Sequence, residues 1–151
     1  MLKRLQFLTS GESHGKGLLG ILDGLPAGVE ISEEYIDRQL KRRQMGHGRG
    51  GRMKIEKDHA QLWGGVRHGL TLGSPVGILI DNLDWKNWTK KMSVEPIQEK
   101  VKPVTLPRPG HADLAGVHKY GFGDIRNILE RASARETTMR VALGSVCRKL
   151  L

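Results

Sequence analysis

Two histidines stand where an imidazole could do chemistry. His14 lies in Thr9-Ser10-Gly11-Glu12-Ser13-His14-Gly15 and His111 in Arg108-Pro109-Gly110-His111-Ala112-Asp113. Each sits in a tight, glycine-bounded loop beside a hydroxyl or a carboxylate, where a ring with a pKa of about 6.5 can shuttle protons. His47, His59, His68 and His118 have no partner pattern and are expected to be surface or structural. Neither loop offers the three or four grouped ligands of a zinc site, so no metal is expected. Ser13 and His14 do not read as a nucleophile pair, because adjacent side chains seldom face each other and no Gly-x-Ser-x-Gly elbow is present.

Cations are the second chemical signal. Lys41, Arg42, Arg43, Arg49, Arg52, Lys54 and Lys57 are interspersed with Gly46, Gly48, Gly50 and Gly51, so that backbone amides and planar guanidinium forks can both approach an anion. A second window holds Arg108, Lys119, Arg126, Arg131, Arg135 and Arg140 among Glu130, Ser133, Glu136 and Thr137. Arg131 and Arg135 are four apart and are expected on one helical face; pairing with Glu130 and Glu136 as surface bridges is the bland reading, which explains the charges but not Ser133-Ala134 packed among them. The net charge of +9, from 25 Lys plus Arg against 16 Asp plus Glu, implies an acidic ligand. Nucleic-acid surfaces interleave cations with aromatics for stacking, whereas none of Phe7, Tyr35, Trp63, Trp85, Trp88, Tyr120 and Phe122 falls in the first basic window. Small anions are the better reading, with an RNA or anionic-surface binding module as the rival.

The elements that must position these groups follow from pattern. Leu5 to Leu8 and Gly17 to Leu22 predict strands flanking the His14 loop, and Leu25 to Gly28 predicts a turn. Ser32, then Glu33 and Glu34, then Ile36 and Leu40 predict a capped helix from Ser32 to Gln44 that runs into a mobile basic loop over residues 46–52. Gln61 to Val66 and Ser74 to Asn82 read as strands, Trp85 and Trp88 as a helical turn plugging a core edge, and Pro103 to Pro109 as an extended linker. From Asp124 onward Ile125, Leu129, Ala132, Val141, Ala142, Val146 and Leu150 predict a long helix with a break near Ala132 to Ala134.

One soluble domain with no internal boundary accounts for 151 residues, no membrane-length apolar run and no secretory leader, and cytoplasmic residence is expected. The lone Cys147 excludes an internal disulfide and reads as a small buried thiol. Glycine, 20 residues, is about twice its usual share of roughly 7% but falls in short clusters, against collagen-like or low-complexity readings. The apolar-periodic tail stops without a cap at Leu151, as if within an ordered element.

Gly11-Glu12-Ser13-His14-Gly15, Arg43-Gln44 with Gly48-Arg49-Gly50-Gly51-Arg52-Met53, Arg108-Pro109-Gly110-His111-Ala112-Asp113, and Glu130-Arg131-Ala132-Ser133-Ala134-Arg135-Glu136-Thr137 together resemble the N-terminal part of chorismate synthase. The resemblance runs in order from about residue 5 to the last residue. It implies an α+β fold of the beta-alpha-beta sandwich type, an antiparallel sheet packed on long helices and here a partial domain, from a homotetrameric family. It implies trans-1,4-elimination of phosphate from 5-enolpyruvylshikimate 3-phosphate with reduced FMN, without net redox change, and partners limited to that small molecule, with neither nucleic acid nor membrane. His14 would protonate the departing phosphate, and His111 would sit against the flavin. Ser13, Arg43, Arg49 and Arg108 would contact substrate, supported by Arg52 and Arg135, and Arg131, Ala132 and Ser133 would bind flavin. Arg43 and Arg49 also match NADP positions in members that reduce their own flavin with NADPH. Members of the family are more than twice as long, which predicts little or no turnover from this chain alone.

Overall fold

The structure is a computed structural model and describes residues 4–45 and 55–151. The chain opens with β1 (Gln6–Ser10), β2 (Gly17–Asp23), in which buried and exposed residues alternate, and β3 (Ala27–Glu30), and α1 (Glu33–Gln44) follows. Its cap is the one predicted: Ser32 Oγ accepts from Tyr35 N at 3.2 Å, with Glu33 and Glu34 in the first turn and Lys41 to Arg43 in the last. The basic glycine loop lies outside the described residues. Next come β4 (Gln61–Gly64), β5 (Val66–Arg67), β6 (Leu70–Leu72) and β7 (Val76–Asp81), a 3-10 turn at Leu83–Asn87, then α2 (Asp113–Tyr120), α3 (Arg126–Arg131) and α4 (Glu136–Leu150).

Two antiparallel sheets result, one ordered β1-β2-β7-β4 and a smaller one ordered β3-β6-β5. In the first, Gln6 pairs with Asp23 and Ser10 with Leu19, while Gly17 pairs with Asp81 and Leu22 with Val76. That register points Leu18, Leu22, Val76, Ile78 and Ile80 to one face, where they are buried against Ile36 and Leu40 of α1 and Met139, Ala142 and Val146 of α4. Each of these side chains except that of Ala142 contributes about 1.5–3 kcal/mol by leaving water. Strand and helix approach closely at Gly20, where a Cβ would meet Met139 Sδ at 2.4 Å. The α+β class with an antiparallel sheet on helices is as expected.

Three details differ from the sequence reading. The turn expected over Leu25 to Gly28 gives way to β3, because the buried Thr71 hydroxyl donates to Pro26 O and accepts from Val29 N, tying that segment to the second sheet. The strand expected over Gln61 to Val66 divides at Gly65, whose φ is 79°. α2 was not anticipated, although Asp113 in its first turn, His118 and Lys119 in its last and Gly121 at φ 69° are a helix signature. The C-terminal helix is two, broken where predicted. Pro103 to Pro109 is irregular, as expected of a linker, and is anchored where Val104 N donates to Asp124 and Ile125 N to Val104 O. Among the described residues no helix is long and apolar enough to cross a membrane.

Candidate functional site

The His14 loop is shaped by its glycines and held from beneath. Gly11 has φ +104°, and a Cβ there would lie 2.3 Å from Gly17 O, so only glycine fits. The buried Asn82 amide donates to Glu12 O at 3.0 Å and Gly15 O at 2.8 Å. Ser13 N donates to Glu130 O and His14 N to Glu130 Oε2, both at 2.9 Å. Glu130 also reaches the ring itself, with Oε1 and Oε2 at 3.0 and 2.8 Å from Nδ1. The imidazole stacks on Trp88, centroids 3.8 Å apart at 23°, and Trp88 Nε1 donates to Asp84 Oδ2 at 3.0 Å. Trp88 therefore orients a histidine rather than plugging a core edge. Arg126 and Lys91 approach the same indole at 5.6 and 5.1 Å.

Beside this loop a cavity of about 550 Å³ lies between α2 and α3. Ala115, Tyr120, Phe122 and Ile128 give it an apolar wall, and Glu12, Lys119, Asn127 and Arg131 add polar groups. The two helices approach closely because residue 116 is glycine: a Cβ there would meet Ile128 Cγ2 at 2.4 Å. Ala132 lines the same cavity, as does Ala112, the neighbour of His111.

The expected site residues are distributed as follows. Ser13 is buried and tied to Glu130 through its backbone. Arg131 donates through Nη2 to Thr9 O and Oγ1 and pairs with Glu136 at 3.1 Å. Ser133 Oγ accepts from Arg135 N at 3.3 Å. Arg43 bridges the end of α1 to the start of α4, donating to Ala134 O and Thr137 Oγ1. Arg108 grips Asp113 bidentately, Nε and Nη2 each at 2.9 Å. That guanidinium holds the Asp113 carboxyl down at about 2. His111 is exposed on the turn this pair closes: Pro109 and Gly110, φ 74°, are its central residues and His111 N donates to Arg108 O. Arg49, Arg52 and His47 lie outside the described residues.

Two expectations about charge are corrected. Arg131 and Arg135 do not share a helical face, because α3 ends at Arg131 and the turn before α4 sends Arg135 inward. Arg135 is buried and donates to Asp58, to Asn82 Oδ1 at 2.8 Å, to Asp81 O at 3.2 Å and to Glu56 at 3.5 Å, so its support of the site is indirect. Glu130 is no exposed bridge; it is 1% exposed and belongs to His14. His59, read as surface or structural, is exposed and meets Asp37 at 2.6 Å, and that hydrogen bond raises its pKa. His68 and His118 are exposed as expected, and Cys147 is half-buried, its thiol pushed up by desolvation. Among the described residues no metal-binding cluster occurs. Sequence reasoning missed Asn82, Trp88, Glu56 and Asp58 as supports of the loop and of Arg135; no local spacing connects residues so far apart in the chain.

Sheet, helices and loop together define an α+β protein in which His14 sits where a strand-connecting loop meets a helix end. The chorismate synthase family model matches residues 5–151. Chorismate synthase of Enterococcus faecalis is 61% identical over 150 residues, covering 97% of this chain and 39% of that protein. That of Aquifex aeolicus is 61% identical over 151 residues, covering 99% and 38%. A crystal structure of chorismate synthase superposes with a TM-score of 0.74 at 46% identity, over 100% of this chain and 35% of that one. The chain belongs to the chorismate synthase family. It spans about 39% of the length of the relatives it matches.

Proposed function

We propose that this chain forms the N-terminal part of a site that eliminates phosphate from 5-enolpyruvylshikimate 3-phosphate to give chorismate, a carbon–oxygen lyase reaction. The observation that carries the reading is His14, oriented by Glu130 and Trp88 next to a cavity with arginine and lysine among its lining residues.

The reaction breaks the ring C–O bond to phosphate and removes a proton from the opposite ring carbon. Ring Nε2 of His14 hands its proton to the departing phosphate. Arg43, Arg49 and Arg108 contact the phosphate and carboxylates, Ser13 adds a contact, and Arg52 and Arg135 support them. The apolar cavity between α2 and α3, lined in part by Arg131 and Ala132, fits an isoalloxazine ring; with Ser133 these two residues hold the flavin, and His111, next to the lining Ala112, sits against it. Reduced FMN, when bound, supplies transient electron density to the substrate ring. Arg43 and Arg49 are also the positions for NADPH as flavin reductant. A cytoplasmic homotetramer completes the reading.

Fluorescence quenching of FMN, titrated with and without the substrate, tests it: substrate should tighten the flavin. Salt-dependent nucleic-acid binding with no flavin response would overturn the proposal. Phosphate release under anaerobic conditions with reduced FMN should be slight, since the chain spans 39% of its relatives.

A further inference from the structure

Glu130 lies 116 positions from His14, is 1% exposed, and presents both carboxylate oxygens to ring Nδ1 at 3.0 and 2.8 Å. A carboxylate can only accept, so Nδ1 must donate. The same Oε2 accepts from His14 N, and Glu130 O accepts from Ser13 N, so that loop and helix end are clamped by one residue through three kinds of contact. Arg126 Nη1, 3.7 Å from Oε1, backs the carboxylate with positive charge. Stacking on Trp88 sets the ring plane, and the bond from Trp88 Nε1 to Asp84 sets the indole. The opposite ring nitrogen, Nε2, is 3.9 Å from Asp84 Oδ2, beyond hydrogen-bond reach.

We infer that Glu130 is a positioning residue that locks His14 into the Nδ1–H form and reserves Nε2 for proton exchange. This deepens the proposed role of His14 as donor and rests on it: when Nε2 passes its proton to the leaving phosphate oxygen, the imidazolium loses its charge and the neutral ring left behind is the Nδ1–H tautomer, already hydrogen-bonded. Without Glu130 the neutral ring would distribute its proton over both nitrogens and the loop would lose its tie to α3.

Long-range proton–nitrogen NMR of the 15N-labelled chain, above the pH at which imidazoles titrate, reads the tautomer, and His14→Asn assigns the signal by its loss. The expected pattern is a protonated Nδ1 and a bare Nε2 in the unsubstituted chain. In Glu130→Gln, where one acceptor oxygen becomes an N–H donor, the nitrogen shifts should move toward the averaged pattern of a free histidine. A bare Nδ1 in the unsubstituted chain, or shifts unmoved in Glu130→Gln, would overturn the inference. The unsubstituted spectrum decides even if the variant fails to fold. No flavin or substrate is present, so a locked tautomer with no substrate-tightened flavin would sink the functional reading alone.

Discussion

Arg135 Nε donates to Asn82 Oδ1 at 2.8 Å, and Asn82 in turn donates to the carbonyls of Glu12 and Gly15. One asparagine thus carries the position of a buried guanidinium at the start of α4 to the loop that holds His14. The arrangement balances charge as well, since Arg135 is 6% exposed and faces Glu56 and Asp58, whose side chains are 2% and 0% exposed. Such a cluster is stable only while complete.

Arg135→Ala removes the buried guanidinium facing two buried carboxylates, leaving Asp58 to Arg43 at 3.7 Å and Glu56 to Leu83 N at 2.9 Å, and should cost about 3–5 kcal/mol, read as a lowered urea midpoint. Asn82→Ala leaves two loop carbonyls without their donor and should cost about 1–3 kcal/mol. Because the two residues act through one bond, the double variant should lose less than the sum of the single losses. Strict additivity would show that Arg135 and the His14 loop are uncoupled.

The Arg108–Asp113 pair predicts an acid limb. Asp113 has its folded pKa lowered from 3.8 to about 2, so the pair's contribution is present above about pH 4 and is lost as pH falls through about 2. Denaturant midpoints measured at pH 6 and then down toward pH 2 should fall in the parent chain. Asp113→Asn should start lower at pH 6 and show a shallower fall across that window. Parallel curves would refute the assignment.

Gly11→Ala places a methyl 2.3 Å from Gly17 O in a residue whose φ is +104°. Left-handed backbone at a non-glycine residue costs about 1–3 kcal/mol before the clash is counted. Thermal denaturation should show a lowered Tm, whereas Gly28→Ala, also at positive φ but with nothing within 4 Å of the added Cβ, should lose less. Equal losses at the two positions would show that backbone strain alone governs both.

Much of the scaffold was legible because its signals are local. A short apolar stretch beside a glycine-bounded loop marked β2, period-two alternation marked β7, and the serine cap with its acidic first turn marked α1. The break before α4 was legible in Ala132-Ser133-Ala134. α2 escaped notice because its charged residues drew attention to chemistry rather than to a helix start at Asp113 and a stop at Gly121. In the site, His14 and His111 stood out by their glycine-bounded loops, but the partner of neither could be read. Glu130 looked like one more surface charge beside Arg131, and Trp88 like core filling.

From residue order alone came the strands, the capped helix, the histidine loops and the excess of cations, since each depends on groups within a few positions of one another. Only tertiary structure sorted those cations and carboxylates. It turned Arg135 inward to Glu56 and Asp58, left Arg131 at the cavity wall, and buried Glu130 beneath His14. The physical reason is desolvation: identical charges look alike in a sequence, and which of them must find a partner is settled by which are taken out of water.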